Sequence, residues 1–306
     1  MKYFLTVILY LICIKEYKQI HQKKDVDLIK KHLTILTKTE KPRNYQNIKT
    51  LNFVANYIQE ELKKVCDSVK YQKFEVDKNE YKNVIGSIGI ENKKRIIIGA
   101  HYDVCGDSEG ADDNASGVVG LLELARLLSK EKLKYRIDFV AYSLEEPPFF
   151  RTKQMGSYMH ANYLFKNKID VKGMISLETI GFYSDEIGSQ QFPIPAMKNI
   201  YGNVGDFITV VQNNKNERFS EEINNLLKNE RLIKTESFKG NPSLSGVDFS
   251  DHLNYWNHNF EAVMITNTAF YRNKNYHTAK DKLETLNLEK MNMVIHQLYN
   301  AIKRIK

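Results

Sequence analysis

The chain has 306 residues, enough for one large domain with a well-buried core, and its 42% hydrophobic and 27% charged residues are ordinary for a soluble globular protein. A formal net charge of +8 would suit a nucleic-acid or anionic-membrane partner, but lysine is scattered without a basic stripe interleaved with aromatics, so no nucleic-acid partner is predicted. Three cysteines without CxxC spacing argue against a disulfide framework and against a cysteine zinc site.

The N-terminus carries an apolar run, YFLTVILYLICI, between Lys2 and Lys15. Its length suits the apolar region of a signal peptide and is short for a membrane span. No small-x-small cleavage site follows, so an apolar segment packed on the domain is the alternative. We predict a signal or membrane-anchor segment over residues 1–22 and a single domain over 23–306. The run favours an exported or membrane-tethered location over a cytoplasmic one.

Helices and strands alternate along the rest of the chain. From Asp25, two helices are predicted on either side of a turn at 41–44, the second near 50–64. Further helices are predicted at 116–129, 156–165, 220–228 and 288–302. Strands are predicted at 71–76, 83–88, 95–100, 136–144, 173–177, 207–212 and 262–267. This alternation predicts an α/β fold, a three-layer α/β/α arrangement with a central mixed, mostly parallel sheet flanked by helices. Ligands of such sheets bind at the carboxyl ends of the strands.

Polar motifs follow the predicted strands at those ends. His101-Tyr102-Asp103 comes directly after the apolar strand RIIIGA, and residues i and i+2 of a strand share one side, so Asp103 can orient the His101 imidazole. GADDNASG precedes a helix, where Asp113 is placed to bridge two cations. Simple helix capping would explain Asp112 but not the whole group of motifs.

Adjacent carboxylates follow the next strand. Glu145 and Glu146 would repel each other at a buried sheet end unless cations compensated them, so one suits a metal ligand and the other a general base. Glu178 follows another apolar strand, and Tyr276-His277-Thr278 precedes Asp281 and the last helix. Two histidines and three carboxylates in this order predict a metal site.

Together these motifs resemble those of the bacterial dinuclear zinc aminopeptidases, the leucyl aminopeptidase and aminopeptidase Y type of metallopeptidase. The motifs HYD, GADDNASG, LEEPP, SLETIG, SDH and YHT occur in the order and spacing of that family, and the resemblance covers roughly residues 95–286. It implies two zinc ions per chain. Asp113 would bridge both ions, His101 and Glu178 would complete one site, and Glu146 and His277 the other.

The resemblance also implies the roles of the remaining residues. Glu145 would be the general base, Asp103 would orient His101, and Tyr276 would stabilise the oxyanion or simply pack. The implied function is removal of N-terminal residues from peptides with a free N-terminus, through a water activated by two zinc ions. One departure is Glu178, because the type members more often have Asp at this position.

Other readings stay open beside the aminopeptidase. A glutaminyl cyclase uses one zinc on the same fold, and a carboxypeptidase or amino-acid deacylase uses similar ligands. A degenerate binding domain would have lost ligands or the base, whereas every position here holds a competent residue. Ser250-Asp251-His252 is interpreted as support for the site, and four aromatic residues as a side-chain pocket or as core: Phe149, Phe150, Tyr183 and Phe192.

Overall fold

The computed structural model describes residues 22–215 and 217–306. The predicted signal or anchor segment, residues 1–22, therefore lies outside the described residues apart from Gln22. Within the described ranges, no helix combines the length and the apolar character that crossing a membrane requires.

Eight helices and eight strands are described. The helices are α1 (22–37), α2 (Ile48–Lys63), α3 (Gly117–Leu128), α4 (Gly156–Lys166), α5 (Lys198–Tyr201), α6 (Arg218–Glu230), α7 (His252–Asn257) and α8 (Leu288–Ile302). The strands are β1 (Ser68–Val76), β2 (Asn79–Ile88), β3 (Arg95–His101), β4 (Arg136–Tyr142), β5 (Val171–Glu178), β6 (Ile208–Asn213), β7 (Thr235–Gly240) and β8 (Ala262–Thr266).

All eight strands form one sheet in the order β1-β2-β4-β3-β5-β8-β6-β7. The four central strands β4, β3, β5 and β8 run parallel to one another. On one side β2 and β1 continue the sheet antiparallel, and on the other side β6 pairs antiparallel with β8 and parallel with β7. The carboxyl ends of the central strands consequently meet at one edge.

The sheet separates two hydrophobic cores. Ile96 and Ile98 of β3 belong to one core, with side chains of α1, α2, α3, α6 and α8, whereas Ile97 between them belongs to the other, with α4 and α7. A continuous apolar strand is what such double coverage requires, because successive side chains point to opposite faces. The predicted three-layer α/β/α fold with a mixed sheet is confirmed.

Three elements were not predicted. Strand β7 pairs only with β6 at the edge of the sheet, and most of its side chains are half-buried, so its sequence shows neither a clear alternation nor an apolar run. Helix α5 has four residues and helix α7 has six, too few to show a helical period. Tyr201 of α5 and Phe238 of β7 line the pocket described below.

Candidate functional site

The five predicted metal ligands meet at the carboxyl edge of the sheet. His101 is the last residue of β3, Glu178 is the last residue of β5, and Glu146 follows β4. Asp113 lies in the turn before α3, and His277 lies in the loop between β8 and α8. All except His277 are at least nine-tenths buried.

The ligand atoms form two groups that share Asp113. Nε2 of His101 lies 3.3 Å from Asp113 Oδ1 and 3.3 Å from Glu178 Oε2. On the other side, Nε2 of His277 lies 2.9 Å from Asp113 Oδ2 and 3.1 Å from Glu146 Oε2. Because Asp113 presents a different oxygen to each histidine, its carboxylate is placed to bridge two cations.

These separations fit metal binding. Two ligand atoms about 2.0–2.1 Å from a tetrahedral ion lie about 3.3 Å apart. Asp113 Oδ2, Glu146 Oε1 and His277 Nε2 are moreover buried, and none has a hydrogen-bond partner of normal geometry within the described residues. Buried polar atoms without partners are rare in folded proteins, so atoms of this kind facing one another indicate a cation between them.

The electrostatics of the site also call for cations. Burial and the neighbouring carboxylates raise the pKa of Glu145 well above its usual range and that of Glu146 to about 8. Burial alone would lower the pKa of His277, but the close carboxylates of Asp113 and Glu146 raise it to about 11. The buried carboxylates of the site therefore outnumber its two imidazoles, and divalent cations would offset the excess negative charge.

Asp103 holds the loop that carries both glutamates. Its two carboxylate oxygens accept hydrogen bonds from the backbone N–H groups of Glu145 (3.2 Å) and Glu146 (3.1 Å). The carboxylate lies 3.6 Å from Nδ1 of His101, while the Asp103 carbonyl oxygen lies closer, at 3.3 Å. Orientation of His101 by Asp103 stays a prediction. The structure shows a second contact of Asp103, which positions the backbone of Glu145 and Glu146.

A second buried carboxylate holds the other acidic pair in the same way. Asp281 accepts hydrogen bonds from the backbone N–H groups of Asp112 (2.9 Å) and Asp113 (3.0 Å). Arg43, only 2% exposed, donates to the carbonyl oxygens of Glu109 and Gly110 just before this pair. Sequence patterns assign no role to Asp281 or Arg43, because both act through contacts with residues far away in the chain.

Ser250 of the SDH motif and Tyr276 lie beside the candidate ligands. Ser250 donates a 2.7 Å hydrogen bond to Oε2 of Glu178, the glutamate at the position where the type members more often have Asp. His252 packs edge-on against Trp256. The ring of Tyr276 stacks on that of His277 with centroids 3.9 Å apart. Burial raises the pKa of Tyr276 well above its usual range, so its hydroxyl stays protonated as a hydrogen-bond donor.

An apolar pocket adjoins the site at Glu178 and Tyr276. Of the four aromatic residues singled out in the sequence, Phe192 lines this pocket, whereas Phe149 and Tyr183 lie in the core. Phe150 packs edge-on against the pocket residue Phe249. The rest of the wall comes mainly from β6, β7, β8 and the loops around them, including Thr209, Val211, Phe238, Met264 and Phe270.

Comparison with known proteins matches this chain to a family. The model of peptidase family M28 matches residues 83–302, which is more than half of the chain. The uncharacterized protein YfbL of Escherichia coli (strain K12) is 43% identical over 285 residues, covering 89% of this chain and 87% of its own length. A probable leucine aminopeptidase of Arthroderma otae is 28% identical over 281 residues, covering 85% and 67%.

Solved structures show the same fold. The LapA aminopeptidase of Legionella pneumophila superimposes with a TM-score of 0.72 at 21% identity, over 94% of this chain and 74% of its own. A glutaminyl cyclase of Bacteroides thetaiotaomicron reaches 0.67 at 19% identity, over 92% and 98%. Because both activities occur on this fold, the fold alone does not choose between them.

Proposed function

The chain belongs to peptidase family M28, and from that premise we propose that it is a two-zinc aminopeptidase that releases the N-terminal residue of peptides. The observation that carries the proposal is Asp113, whose two oxygens face two separate groups of ligand atoms. One group would hold an ion through His101, Asp113 and Glu178, and the other through Asp113, Glu146 and His277. A one-zinc enzyme would not need the second group.

When bound, the zinc ions would lower the pKa of water and stabilise negative charge on the carbonyl oxygen of the substrate. The protein would supply the proton transfers. Glu145 would accept the proton of the attacking water on its carboxylate and pass it to the leaving amine. Asp103 would fix the backbone of Glu145, and the Tyr276 hydroxyl would donate a hydrogen bond to the oxyanion.

Acidic side chains beside the pocket favour a substrate with a free α-amine. The protonated amine would lie near Glu145 and Glu178, and the side chain of the same residue would enter the apolar pocket, which Glu178 borders. An N-acetyl group would remove that positive charge and place an uncharged group among buried carboxylates. Cleavage would therefore be limited to the first residue of the chain.

The test is hydrolysis of aminoacyl-arylamides by the purified protein, with matched N-acetylated substrates, before and after chelation and zinc add-back. We expect turnover of the free-amine substrates only, abolished by chelation and restored by zinc, with two zinc ions per chain by elemental analysis. Release of arylamine from the acetylated substrates would contradict the need for a free amine, and turnover of N-acyl amino acids or of blocked peptides with a free carboxylate would instead identify a deacylase or a carboxypeptidase. Cyclisation of glutaminyl peptides with one bound zinc would identify a glutaminyl cyclase.

The pocket predicts a preference for large apolar N-terminal residues. One methylene group in such a pocket is worth about 1–3 kcal/mol, so kcat/KM for leucyl and phenylalanyl arylamides should exceed that for the alanyl compound at least about tenfold. Phe192→Ala removes a half-buried wall residue and should cost the large substrates about 1 kcal/mol, or about fivefold. Phe53→Ala, at an α2 side chain that is 55% exposed, is the matched control. Equal rates for alanyl and leucyl substrates would contradict this assignment of the pocket.

A further inference from the structure

Cys105 lies beside the metal ligands, although the family resemblance gives it no role. It is half-buried in the loop that connects β3 to Asp113. Its Sγ and one ligand atom each of Glu146 and His277 all lie within 4.8 Å of one another. No other described cysteine belongs to such a group, since Cys66 packs between α2 and β2.

A second observation points to a cation at the same place. Glu146 is only 4% exposed, and its Oε1 is buried with no hydrogen-bond partner among the described residues. His277 Nε2 is also without a partner of normal hydrogen-bond geometry, although it lies 3.1 Å from Glu146 Oε2. A carboxylate, an imidazole and a thiol converge there, and all three are types of side chain that bind zinc.

We propose that Cys105 is a fourth protein ligand of the zinc ion held by Asp113, Glu146 and His277. This inference rests on the proposed two-zinc function. Thiolate is a stronger ligand for zinc than any oxygen donor of the site, and a zinc–sulfur bond of about 2.3 Å is compatible with the observed spacing. As the sulfur–zinc bond forms, the thiol proton leaves to water, so the sulfur binds as thiolate.

The extra ligand would make the two zinc ions unequal. The ion at Glu146 and His277 would have four protein ligands and could take the attacking water only as a fifth ligand. The ion at His101 and Glu178 would keep three and retain an open position for the substrate. The apolar pocket adjoins this second ion through Glu178, whereas Cys105 does not line the pocket. Substrate would therefore bind on the Glu178 side.

The experiment replaces zinc with Co²⁺ in the full chain and records the absorption spectrum. A thiolate bound to Co²⁺ gives a charge-transfer band in the near ultraviolet, and Co²⁺ held by nitrogen and oxygen alone gives only weak visible bands. We expect the near-ultraviolet band in the unchanged protein and in Cys66→Ser, and its loss in Cys105→Ser with the visible bands retained. Visible bands without the near-ultraviolet band in the unchanged protein would overturn the ligand role of Cys105 and leave the aminopeptidase proposal standing. Failure to bind Co²⁺ or zinc at all would overturn both.

Zinc affinity is the second readout. Loss of a residue that merely orients a ligand costs about 10- to 100-fold in metal affinity, so loss of a direct ligand should weaken one of the two zinc ions at least about tenfold. Competition with a chromophoric chelator should show this in Cys105→Ser and Cys105→Ala, and not in Cys66→Ser. Unchanged affinity for both ions in the two Cys105 variants would contradict the proposal.

Discussion

Replacing Glu145 with glutamine is expected to lower kcat by about 10²- to 10⁴-fold, the usual contribution of a general base, while both zinc ions stay bound. The substitution keeps the shape of the side chain and the backbone N–H that donates to Asp103, but an amide cannot accept the proton. Burial, together with charge from Glu146 and Glu178, raises the pKa of the Glu145 carboxyl. Bound cations would lower this pKa again, which would let Glu145 take and release a proton near neutral pH.

The same substitution at the neighbouring Glu146 is the control for this prediction. Glu146→Gln should lower the zinc content, because Oε2 of Glu146 lies 3.1 Å from the ring nitrogen of His277 in a predicted ligand group. Glu145→Asp keeps a base but draws it back by one methylene group, so its kcat should fall between those of the unchanged protein and Glu145→Gln. Kinetics and elemental analysis of the same samples separate the roles. Zinc loss in Glu145→Gln would reassign Glu145 as a ligand, and an unchanged kcat would remove it from the mechanism.

The position of the candidate ligands is the part of the site that the sequence predicts well. His101 and Glu178 end two parallel strands whose apolar residues are visible in the sequence, and the carboxyl ends of adjacent parallel strands meet at one edge. The Glu145-Glu146 pair follows β4, which neighbours β3 in the sheet. Local patterns place each of these side chains at the end of a strand, and the parallel direction and adjacent order of the strands bring those ends together.

The residues that hold the ligands in place are not predictable in this way. Asp281 binds the backbone of Asp112 and Asp113 from 168 or 169 positions away, and Ser250 reaches Glu178 across 72. These contacts depend on how the loops pack against one another at the edge of the sheet. Neither the hydrophobic periodicity of the sequence nor a local motif predicts them. Cys105 shows the same limit. The sequence places it near His101, but only the folded loop brings its sulfur close to Glu146 and His277.

Asp112 accepts the largest set of hydrogen bonds among these supporting residues. It precedes the predicted bridging ligand Asp113 in the chain, but it binds neighbouring loops instead of a metal ion. One of its oxygens accepts hydrogen bonds from the backbone N–H groups of Gly181 and Phe182. Both of its oxygens accept from the side-chain amide of Asn267, and the second also accepts from that of Asn273. Asp112 is 1% exposed, so it ties the loops after β5 and β8 to the turn that carries Asp113.

Asp112→Asn should therefore lower the free energy of unfolding by about 1–3 kcal/mol, because the buried amide of Asn273 loses its acceptor, whereas Asn267 keeps the other Asp112 oxygen. The new amide would face the amides of Asn267 and Asn273. Neither can simply turn over, since their oxygens already accept from the backbone N–H groups of Ala269 and Asn275. Urea unfolding of the metal-free and zinc-loaded proteins measures the loss. Asp107→Asn, at an exposed acid in the preceding loop, should change the stability by less than about 0.5 kcal/mol.

The decisive comparison is with Asp113→Asn, one residue further on. Asp113 lies between two imidazoles, with Oδ1 3.3 Å from Nε2 of His101 and Oδ2 2.9 Å from Nε2 of His277, and these rings hold the pKa of its carboxyl below the usual range. Its neutralisation should abolish binding of at least one zinc ion, and it should also weaken the metal-free protein because the attraction to the two histidines is lost. Asp112→Asn should weaken the metal-free protein but leave both zinc ions bound. Two zinc ions per chain in Asp113→Asn by elemental analysis would mean that Asp113, too, is held for the fold and not for a metal.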